Sequence, residues 1–284
     1  MSPRVCALWR GQPSDLIVRT RRCIDDACTN SSAENPGYIF FRNDDVAVPG
    51  KQFVQLMELF YQLHVPLNLA IVPAWLTAVR WLSILSQRHS AADLWCWHQH
   101  GWRHKNHEIG GEKQEFGPGR SAAAIKQDLS LGRRRLVDII GERYFPVFTP
   151  PWNRCDARTL RLLKKQGYVA VSRSQNPKLS MLKGLPDFGV NVDLHTRKER
   201  TSASGWINFF AELKKGISSG LCGIMIHHNR MNAAAFDFLE ALLKILVAHK
   251  NLQLVQFRDL ARIKKDFRCQ VSGVRKKQGV SRQI

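Results

Sequence analysis

Short apolar runs alternate with amphipathic stretches along most of this chain. Nearly continuous apolar strands that alternate with helices are typical of a parallel sheet covered by helices. Roughly seven or eight such units favour a closed α/β barrel over an open sheet. The strand-like runs are "YIFFRND", "PLNLAIVP", "DLWCWHQH", "YFPVFTPP", "YVAVSR", "GVNVDLH", "GIMIHHN" and "LQLVQF". Helix-like stretches include "KQFVQLMELFYQLH", "AAAIKQDLSLGRRRLVDII", "ARTLRLLKKQG" and "AAAFDFLEALLKILVAH".

This alternation divides the chain into three parts. We predict an N-terminal extension over residues 1–35, a barrel over 36–261 and a basic C-terminal tail over 262–284. The tail carries eight Lys or Arg residues against the single Asp266, which is about a third of the net charge of +20. Such a tail binds nucleic acid, anionic lipid or an acidic polymer through non-specific electrostatic attraction. A purely solubilising tail is an equally good interpretation.

The composition is that of an ordinary globular protein, with 44% hydrophobic and 23% charged residues. No apolar run approaches the roughly 20 residues that cross a membrane. The N-terminus lacks the sustained apolar segment of a signal peptide. The seven cysteines are scattered and odd in number, which favours reduced thiols. We therefore predict no membrane span and a cytoplasmic location.

Chemically versatile polar residues follow five of the strand-like runs. In parallel α/β folds the carboxyl ends of the strands meet at one rim, where active sites are built. Each group alone has a structural explanation, since Asp residues cap turns and Pro-Pro makes a rigid corner. Their shared location favours a metal-dependent hydrolase. The residues are Asp44 and Asp45, His100, segment 150–152, Asp193 with His195, and His227 with His228.

The stretch "WCWHQHGWRHKNHE" holds four of the ten histidines, namely His98, His100, His104 and His107. His100 and His104 are four residues apart, so a helical or tightly turned segment directs both imidazoles to one point. Catalytic zinc sites commonly combine such a pair with one carboxylate and leave a coordination position open. The spacing therefore predicts a metal site whose third ligand comes from another part of the chain.

The motifs "FFRNDD", "HGWRH", "FTPPW" and "GIMIHH" resemble those of the polysaccharide deacetylase superfamily, carbohydrate esterase family four (CE4), in order and approximate spacing. On this resemblance, which spans about residues 38–257, the chain is identified as a divergent member. The resemblance implies a distorted (β/α) barrel of about seven parallel strands and a divalent metal, usually zinc. Asp45, His100 and His104 resemble the metal ligands, Asp44 the general base and His227 the general acid.

Two positions follow or depart from the family pattern in ways that matter for catalysis. The backbone N–H of Trp152 resembles the family's oxyanion donor. Thr149 stands where the third motif usually has an Arg, so the charge that tunes the catalytic Asp comes from elsewhere or is absent. Arg42 and Arg154 are the nearby candidates. Asp193 in "NVDLH" is the candidate for the group that orients the acid histidine. The Gly-rich loop "EIGGEKQEFGPGR" is expected to cover the site.

These observations predict a metal-dependent amide hydrolase that removes acetyl groups from N-acetylated sugars or polysaccharide. An amide carbonyl is a poor electrophile, so a metal that polarises its oxygen suits this reaction. Two alternatives remain open. One is hydrolysis of another non-peptide C–N bond in a small cytosolic substrate, and the other is a catalytically inactive barrel that binds polyanions. The expected partners are a carbohydrate or small amide and, through the tail, polyanions.

Overall fold

A parallel sheet forms the centre of the protein. The structure, a computed structural model, describes residues 5–86, 93–174 and 182–263. Each of the apolar runs singled out in the sequence contains a strand. The strands are β1 (Gly37–Val46), β2 (Leu67–Ile71), β3 (Trp95–His100), β4 (Tyr144–Thr149), β5 (Ala170–Val171), β6 (Val192–Asp193), β7 (Leu221–Ile226) and β8 (Leu252–Leu254).

The strands follow the order β5-β4-β3-β2-β1-β7-β6, and β8 pairs with the first residues of β1. The pairs along this path are parallel. An irregular segment before β6 links the two outer parts of the sheet. Phe188 N donates to Val171 O on β5, and Asn191 N donates to Gly223 O on β7, both at 2.8 Å. The expected distorted barrel of about seven parallel strands is confirmed.

Seven helices surround the sheet in the described part of the chain. The sequence pattern predicts four of them, α2, α4, α5 and α7. The other three, α1, α3 and α6, lie outside the stretches that the pattern singled out. The helices are α1 (Leu16–Ala27), α2 (Lys51–Gln62), α3 (Ala78–Leu85), α4 (Ala122–Ile140), α5 (Ala157–Lys165), α6 (Ser202–Ser218) and α7 (Ala233–Ala248).

The N-terminal residues pack against the barrel. A short 3-10 helix, Ala7–Arg10, precedes α1 and buries Trp9, whose Nε1 donates to Leu194 O beyond β6 at 2.8 Å. The end of α1 contacts α6, where Ser218 Oγ donates to Ala27 O at 3.2 Å. The proposed divisions at residues 35 and 261 remain predictions about domain organisation. Residues 264–284, most of the basic tail, lie outside the described residues.

The barrel interior is apolar at one end and polar at the other. Side chains alternate along a strand, so every second residue of β1 and β3 belongs to the same face. Near the start of β1, Phe40 packs edge-on against Phe257, with ring centroids 5.2 Å apart. One layer further along, His98 contacts the same Phe257 ring at 5.0 Å. Towards the carboxyl ends of the strands, the side chains that face the interior become polar. The interior residues in chain order are Phe40, Arg42 and Asp44 on β1, and Cys96, His98 and His100 on β3.

No helix within the described ranges combines the length and the apolar character needed to cross a membrane.

Candidate metal centre and active site

An irregularity in β1 positions the two neighbouring aspartates. Between Asn43 and Val46 a step of three residues on β1 faces a step of two on β2, which defines a bulge. Asp45 lies in this bulge with φ +61°, in the left-handed region. Consecutive residues of a regular strand point to opposite faces, whereas a bulge redirects one of them. Asp44 and Asp45 consequently both line one cavity.

His100 and His104 approach each other through a turn and not through a helix. His100 is the last residue of β3, and Gly101 and His104 then adopt φ values of +60° and +57°. The Nε2 atoms of His100 and His104 each lie 3.3 Å from Asp45 Oδ1. The structure thus brings the three candidate ligands together. Of the two local geometries that the spacing allows, the tight turn is the one adopted.

Glu115, which sequence reasoning missed, holds this turn in place. Its side chain is fully buried, and Oε1 and Oε2 accept hydrogen bonds from Arg103 N at 2.7 Å and Trp102 N at 3.1 Å. A Cβ on Gly101 would lie only 2.2 Å from Glu115 Oε2, so the close approach requires glycine. Glu115 belongs to a Gly-rich loop with no local pattern, so its partner could not be identified from the sequence.

The cluster has the properties of a cation site. The candidate ligand atoms of Asp45, His100 and His104 all lie within 4.8 Å of one another. His100 Nδ1 lies 3.0 Å from Thr149 O, to which it donates, so Nε2 carries a lone pair in the neutral ring. Asp45 Oδ1 and His100 Nε2 are buried and have no hydrogen-bond partner in the described part of the chain. When the His100 ring is neutral, these two acceptors face each other and suit a divalent metal between them.

The charges within the cluster shift the ionisation of its members. Burial alone raises the pKa of Asp45, but the neighbouring imidazoles of His100, His227 and His104 hold that pKa below its usual range. Burial, followed by repulsion from His100, lowers the pKa of His104 to about 4. For His100 the effect of burial is outweighed by the two aspartates, which raise its pKa. Asp45 is therefore ionised and His104 neutral near pH 7, as metal ligands must be.

Arg42 supplies the charge that the sequence leaves open at Thr149. It is fully buried, and its Nε and Nη2 donate to the two carboxylate oxygens of Asp44, each at 2.8 Å. Its Nη1 donates across the barrel to Ser172 Oγ at 2.8 Å and to Ser172 O at 3.0 Å. Burial opposes ionisation of Asp44, but Arg42 beside it lowers the pKa of that carboxyl. The other candidate, Arg154, bonds instead to Glu112 at 2.6 Å.

On the opposite wall, His227 follows β7 and lines the cavity. Its Nδ1 is buried without a hydrogen-bond partner among the residues described. Asp193 Oδ1 accepts from the backbone N atoms of His195 at 2.9 Å and Thr196 at 2.8 Å, and Oδ2 accepts from Thr196 Oγ1. His195 Nδ1 in turn accepts from His227 N at 3.1 Å. Asp193 therefore reaches His227 through His195 and not by a direct bond.

The segment after β4 forms a strained turn beside the cluster. Trp152 and Asn153 have φ values of +55° and +60°. The Trp152 ring packs against His104 at a centroid distance of 4.5 Å, and Asn153 Oδ1 accepts from Arg42 Nη2 at 2.5 Å. Residues in such backbone conformations carry strain and tend to cluster at functional sites. Among the described residues, four of the five non-glycine residues with positive φ line this cavity, namely Asp45, His104, Trp152 and Asn153.

The cavity that these residues enclose has a volume of about 660 Å³. Asp44, the three cluster residues, Trp152, Asp193 and His227 all line it. The loop that was expected to cover the site contributes Gly111, Glu112 and Lys113 to its wall. The bond from Arg154 to Glu112 ties this loop to the turn after β4. A candidate cation site with a carboxylate and an imidazole beside it provides the groups that one route of metal-assisted amide hydrolysis uses.

No model of a known protein family matches the chain, and no curated protein does. Solved structures do match. A candidate polysaccharide deacetylase from Mycobacterium smegmatis has a TM-score of 0.64 at 14% identity, over 82% of this chain and 92% of that one. A family 4 acetyl xylan esterase from Clostridium thermocellum, in complex with a cobalt ion, has a TM-score of 0.52 at 11% identity, covering 80% and 92%. A mutant of BA3943, a CE4 family pseudoenzyme, has a TM-score of 0.52 at 10% identity, covering 80% and 68%.

At these identities the likeness establishes a common fold, and the activity has to be argued from the site. The match extends over about four fifths of the chain in each case. The resemblance carried by the four sequence motifs is therefore confirmed at the level of the fold: the chain adopts the barrel of the polysaccharide deacetylases.

Proposed function

We propose that this protein is a metal-dependent deacetylase that hydrolyses the N-acetyl amide of a sugar or polysaccharide. The observation that carries the proposal is the cluster of Asp45, His100 and His104, in which Asp45 Oδ1 and His100 Nε2 are buried without a hydrogen-bond partner in the described part of the chain. Zinc is the proposed ion, because two imidazoles, a carboxylate and an open position are a usual catalytic zinc set. The fold shared with an esterase that holds a cobalt ion supports a divalent metal.

Asp44 is the proposed general base. When bound, the ion polarises the amide carbonyl and lowers the pKa of a water molecule. Asp44 accepts the proton that the attacking water loses, and the two bonds from Arg42 fix its carboxylate for that transfer. Because Arg42 also lowers the pKa of Asp44, the base stays ionised well below neutral pH. Arg42 is thus a positioning residue, as it acts on Asp44 and not on the substrate.

His227 is the proposed general acid, which donates a proton to the departing amine. An imidazole suits this role near neutral pH. Asp193 is its proposed positioning residue, acting through the bonded chain from Asp193 to His195 and on to the His227 backbone. The backbone N–H of Trp152 is the proposed donor to the oxyanion of the tetrahedral intermediate. Its left-handed turn gives the peptide an orientation that a regular strand end would not have.

The two alternatives differ in how well the site supports them. Hydrolysis of another non-peptide C–N bond uses the same groups and differs only in the substrate. An inactive barrel is disfavoured, because the candidate ligands, base and acid are all present in one cavity. Polyanion contact by the tail and the cytoplasmic location both remain predictions. Between the two hydrolases, the fold shared with a candidate polysaccharide deacetylase supports the sugar substrate.

The direct test is acetate release from an N-acetylated oligosaccharide by the full-length chain reconstituted with zinc. His227→Ala should lower turnover by roughly 10² to 10⁴ while keeping its zinc, because a general acid is lost and a ligand is not. His64→Asn, at an exposed histidine elsewhere, is the matched control and should be fully active. Cleavage of small amides without cleavage of sugars would favour the alternative hydrolase. A zinc-loaded protein that cleaves no amide would contradict the proposal.

A further inference from the structure

A second cavity adjoins the active-site cavity. It encloses about 440 Å³ between the N-terminal segment and the loop that follows β6. Thr196, Lys198 and Arg230 line both cavities. His195, in the second cavity, is bonded to the backbone of His227 in the first. A ligand that reaches from the reacting amide past His227 therefore enters this second cavity.

The second cavity is strongly basic. Five of its lining residues are Lys or Arg, and only Glu199 is acidic. The Glu199 carboxylate forms an ion pair with Arg197 at 2.7 Å, and Arg197 forms a second ion pair with Glu212 at 2.6 Å. Four other basic residues also line the cavity, namely Arg10, Lys198, Arg200 and Arg230. This concentration of positive charge favours an anionic ligand.

His195 adds a buried hydrogen-bond donor to the lining. The side chain is 1% exposed and stacks on Trp9 at a centroid distance of 5.7 Å. Its Nδ1 accepts from His227 N, so the proton of the neutral ring is on Nε2. Burial, then the neighbouring positive groups, keep the pKa of His195 well below its ordinary value, so the ring stays neutral. Nε2 is buried with no partner in the described ranges, and its N–H requires an acceptor.

We propose that the second cavity binds an anionic group of the substrate, a phosphate or a carboxylate, while the acetamide lies at the Asp45, His100 and His104 cluster. The inference rests on the proposed function and narrows its substrate class to negatively charged N-acetylated sugars. Both anions offer oxygen acceptors to the His195 N–H and form charge-assisted bonds with Arg and Lys. The neighbouring cavity then acts as the specificity subsite, remote from the bond that breaks.

Direct binding tests the subsite without relying on catalysis. Inorganic phosphate and glucuronate are titrated calorimetrically into the full-length chain with a chelator present, so that a bound metal cannot be the receptor. We expect one saturable site, and the tighter of the two probes identifies the anion. In the double variant Arg10→Ala and Arg200→Ala, affinity should fall by about tenfold or more, because charge-assisted bonds are lost. The double variant Arg21→Ala and Arg22→Ala, at exposed positions of α1, removes equal charge and should bind normally.

Kinetics then connect the subsite with the reaction. N-acetylglucosamine 6-phosphate is compared with N-acetylglucosamine as substrates of the zinc-loaded chain. The ratio of their kcat/KM values should fall by about tenfold in the Arg10 and Arg200 double variant, mainly through KM for the phosphorylated sugar. Anion binding that the double variant leaves unchanged, or no saturable binding, overturns the inference. Variant-sensitive binding without hydrolysis of either sugar supports the subsite and contradicts the proposed function instead.

Discussion

The same strands carry apolar side chains at the amino end of the barrel interior and polar side chains at its carboxyl end. At the amino end, Phe40 and Phe188 pack on Phe257 at centroid distances of 5.2 and 5.3 Å. At the carboxyl end, Arg42 and His98 are buried just as completely, at 0% exposure. An apolar side chain is stabilised by burial alone, whereas a buried polar group must be hydrogen-bonded or bound to a ligand. Depth of burial alone therefore does not distinguish the apolar core from the candidate site.

Hydrogen bonding of the buried polar atoms divides the carboxyl end of the barrel interior into two parts. The Arg42 guanidinium bonds to Asp44, Ser172 and Asn153, so this network is complete within the protein. The cluster around Asp45, by contrast, keeps buried atoms without partners. In the proposed mechanism, the first arrangement orients the general base and the second binds the cation. Substitutions in the two parts should accordingly have different consequences.

The largest expected effect is the loss of turnover when Asp44, the proposed general base in the Arg42 network, is replaced. Asp44→Asn removes the general base but none of the three candidate ligands. Turnover should fall by roughly 10² to 10⁴, while zinc content is unchanged. Measuring acetate release and zinc content on the same sample checks this. An Asp44→Asn protein that is metal-free, or one that is metal-bound and fully active, would overturn the proposed division of roles.

Removing the other member of the pair tests the stability of the network. Arg42→Met leaves the Asp44 carboxylate buried without its partner, which should lower the free energy of unfolding by about 3–5 kcal/mol. It should also raise the pKa of Asp44, so the acid limb of the kcat/KM profile moves to higher pH. Chemical denaturation and a pH profile measure the two effects. The control is Arg154→Met, whose surface pair with Glu112 should contribute less than about 1 kcal/mol. Equal losses of unfolding free energy in Arg42→Met and Arg154→Met would contradict the contrast between a buried and a surface ion pair.

A third variant perturbs the turn that carries the cluster. In Gly101→Ala the new Cβ meets Glu115 Oε2 at 2.2 Å and Pro151 Cγ at 2.5 Å, on a backbone with φ +60°. Gly141→Ala has nearly the same φ, +59°, but nothing within 4 Å of the new Cβ. We expect about 1–3 kcal/mol of destabilisation from backbone strain at Gly141, whose ψ is −136°. At Gly101 we expect a further cost of about 1–3 kcal/mol from crowding, with weaker zinc binding only there. Thermal unfolding and zinc titration decide whether crowding or backbone strain dominates.

The remaining effect concerns the pH dependence of stability, which depends on His98 at the boundary between the two ends. Burial, then repulsion by Arg42, lowers the pKa of His98 to about 3, against roughly 6.5 in an unfolded chain. Between these values the unfolded state binds more protons, so stability falls as pH falls. Each such histidine contributes a slope of up to about 1.4 kcal/mol per pH unit. Unfolding free energies from pH 7 to 4 should therefore vary less steeply in His98→Gln. An unchanged slope in His98→Gln would contradict the assignment.

The strands could be predicted because their apolar runs are nearly continuous, and five of these runs are followed by polar residues. Alternation along β1 and β3 likewise indicates which side chains share the interior. Local geometry could not be predicted in the same way. The bulge at Asp45 depends on pairing with β2, and the support from Glu115 arises across a loop without pattern. The pairing of Arg42 with Asp44 was one of two options, because sequence proximity does not show which guanidinium points into the barrel.

Helices were harder to recognise where tertiary packing determines their buried face. α6 contains Gly205 and Gly216, which weaken a helix by propensity but allow close approach to Leu8 and Cys222. A Cβ on Gly216 would lie 2.6 Å from Cys222 Sγ. Such contacts with distant parts of the chain are invisible in a local pattern, which is why α6 was not predicted.

The central claim is that Asp45, His100 and His104 together bind one divalent ion. Zinc content of the full-length chain after reconstitution and dialysis tests it most directly, with Asp45→Ala as the variant. His107→Ala is the control, because it removes a histidine of the same tract that lies outside the cluster. We predict about one zinc ion per chain in the native protein and the control, and less than about a tenth of that in Asp45→Ala. Full zinc content in Asp45→Ala, or none in the native protein, would contradict the account.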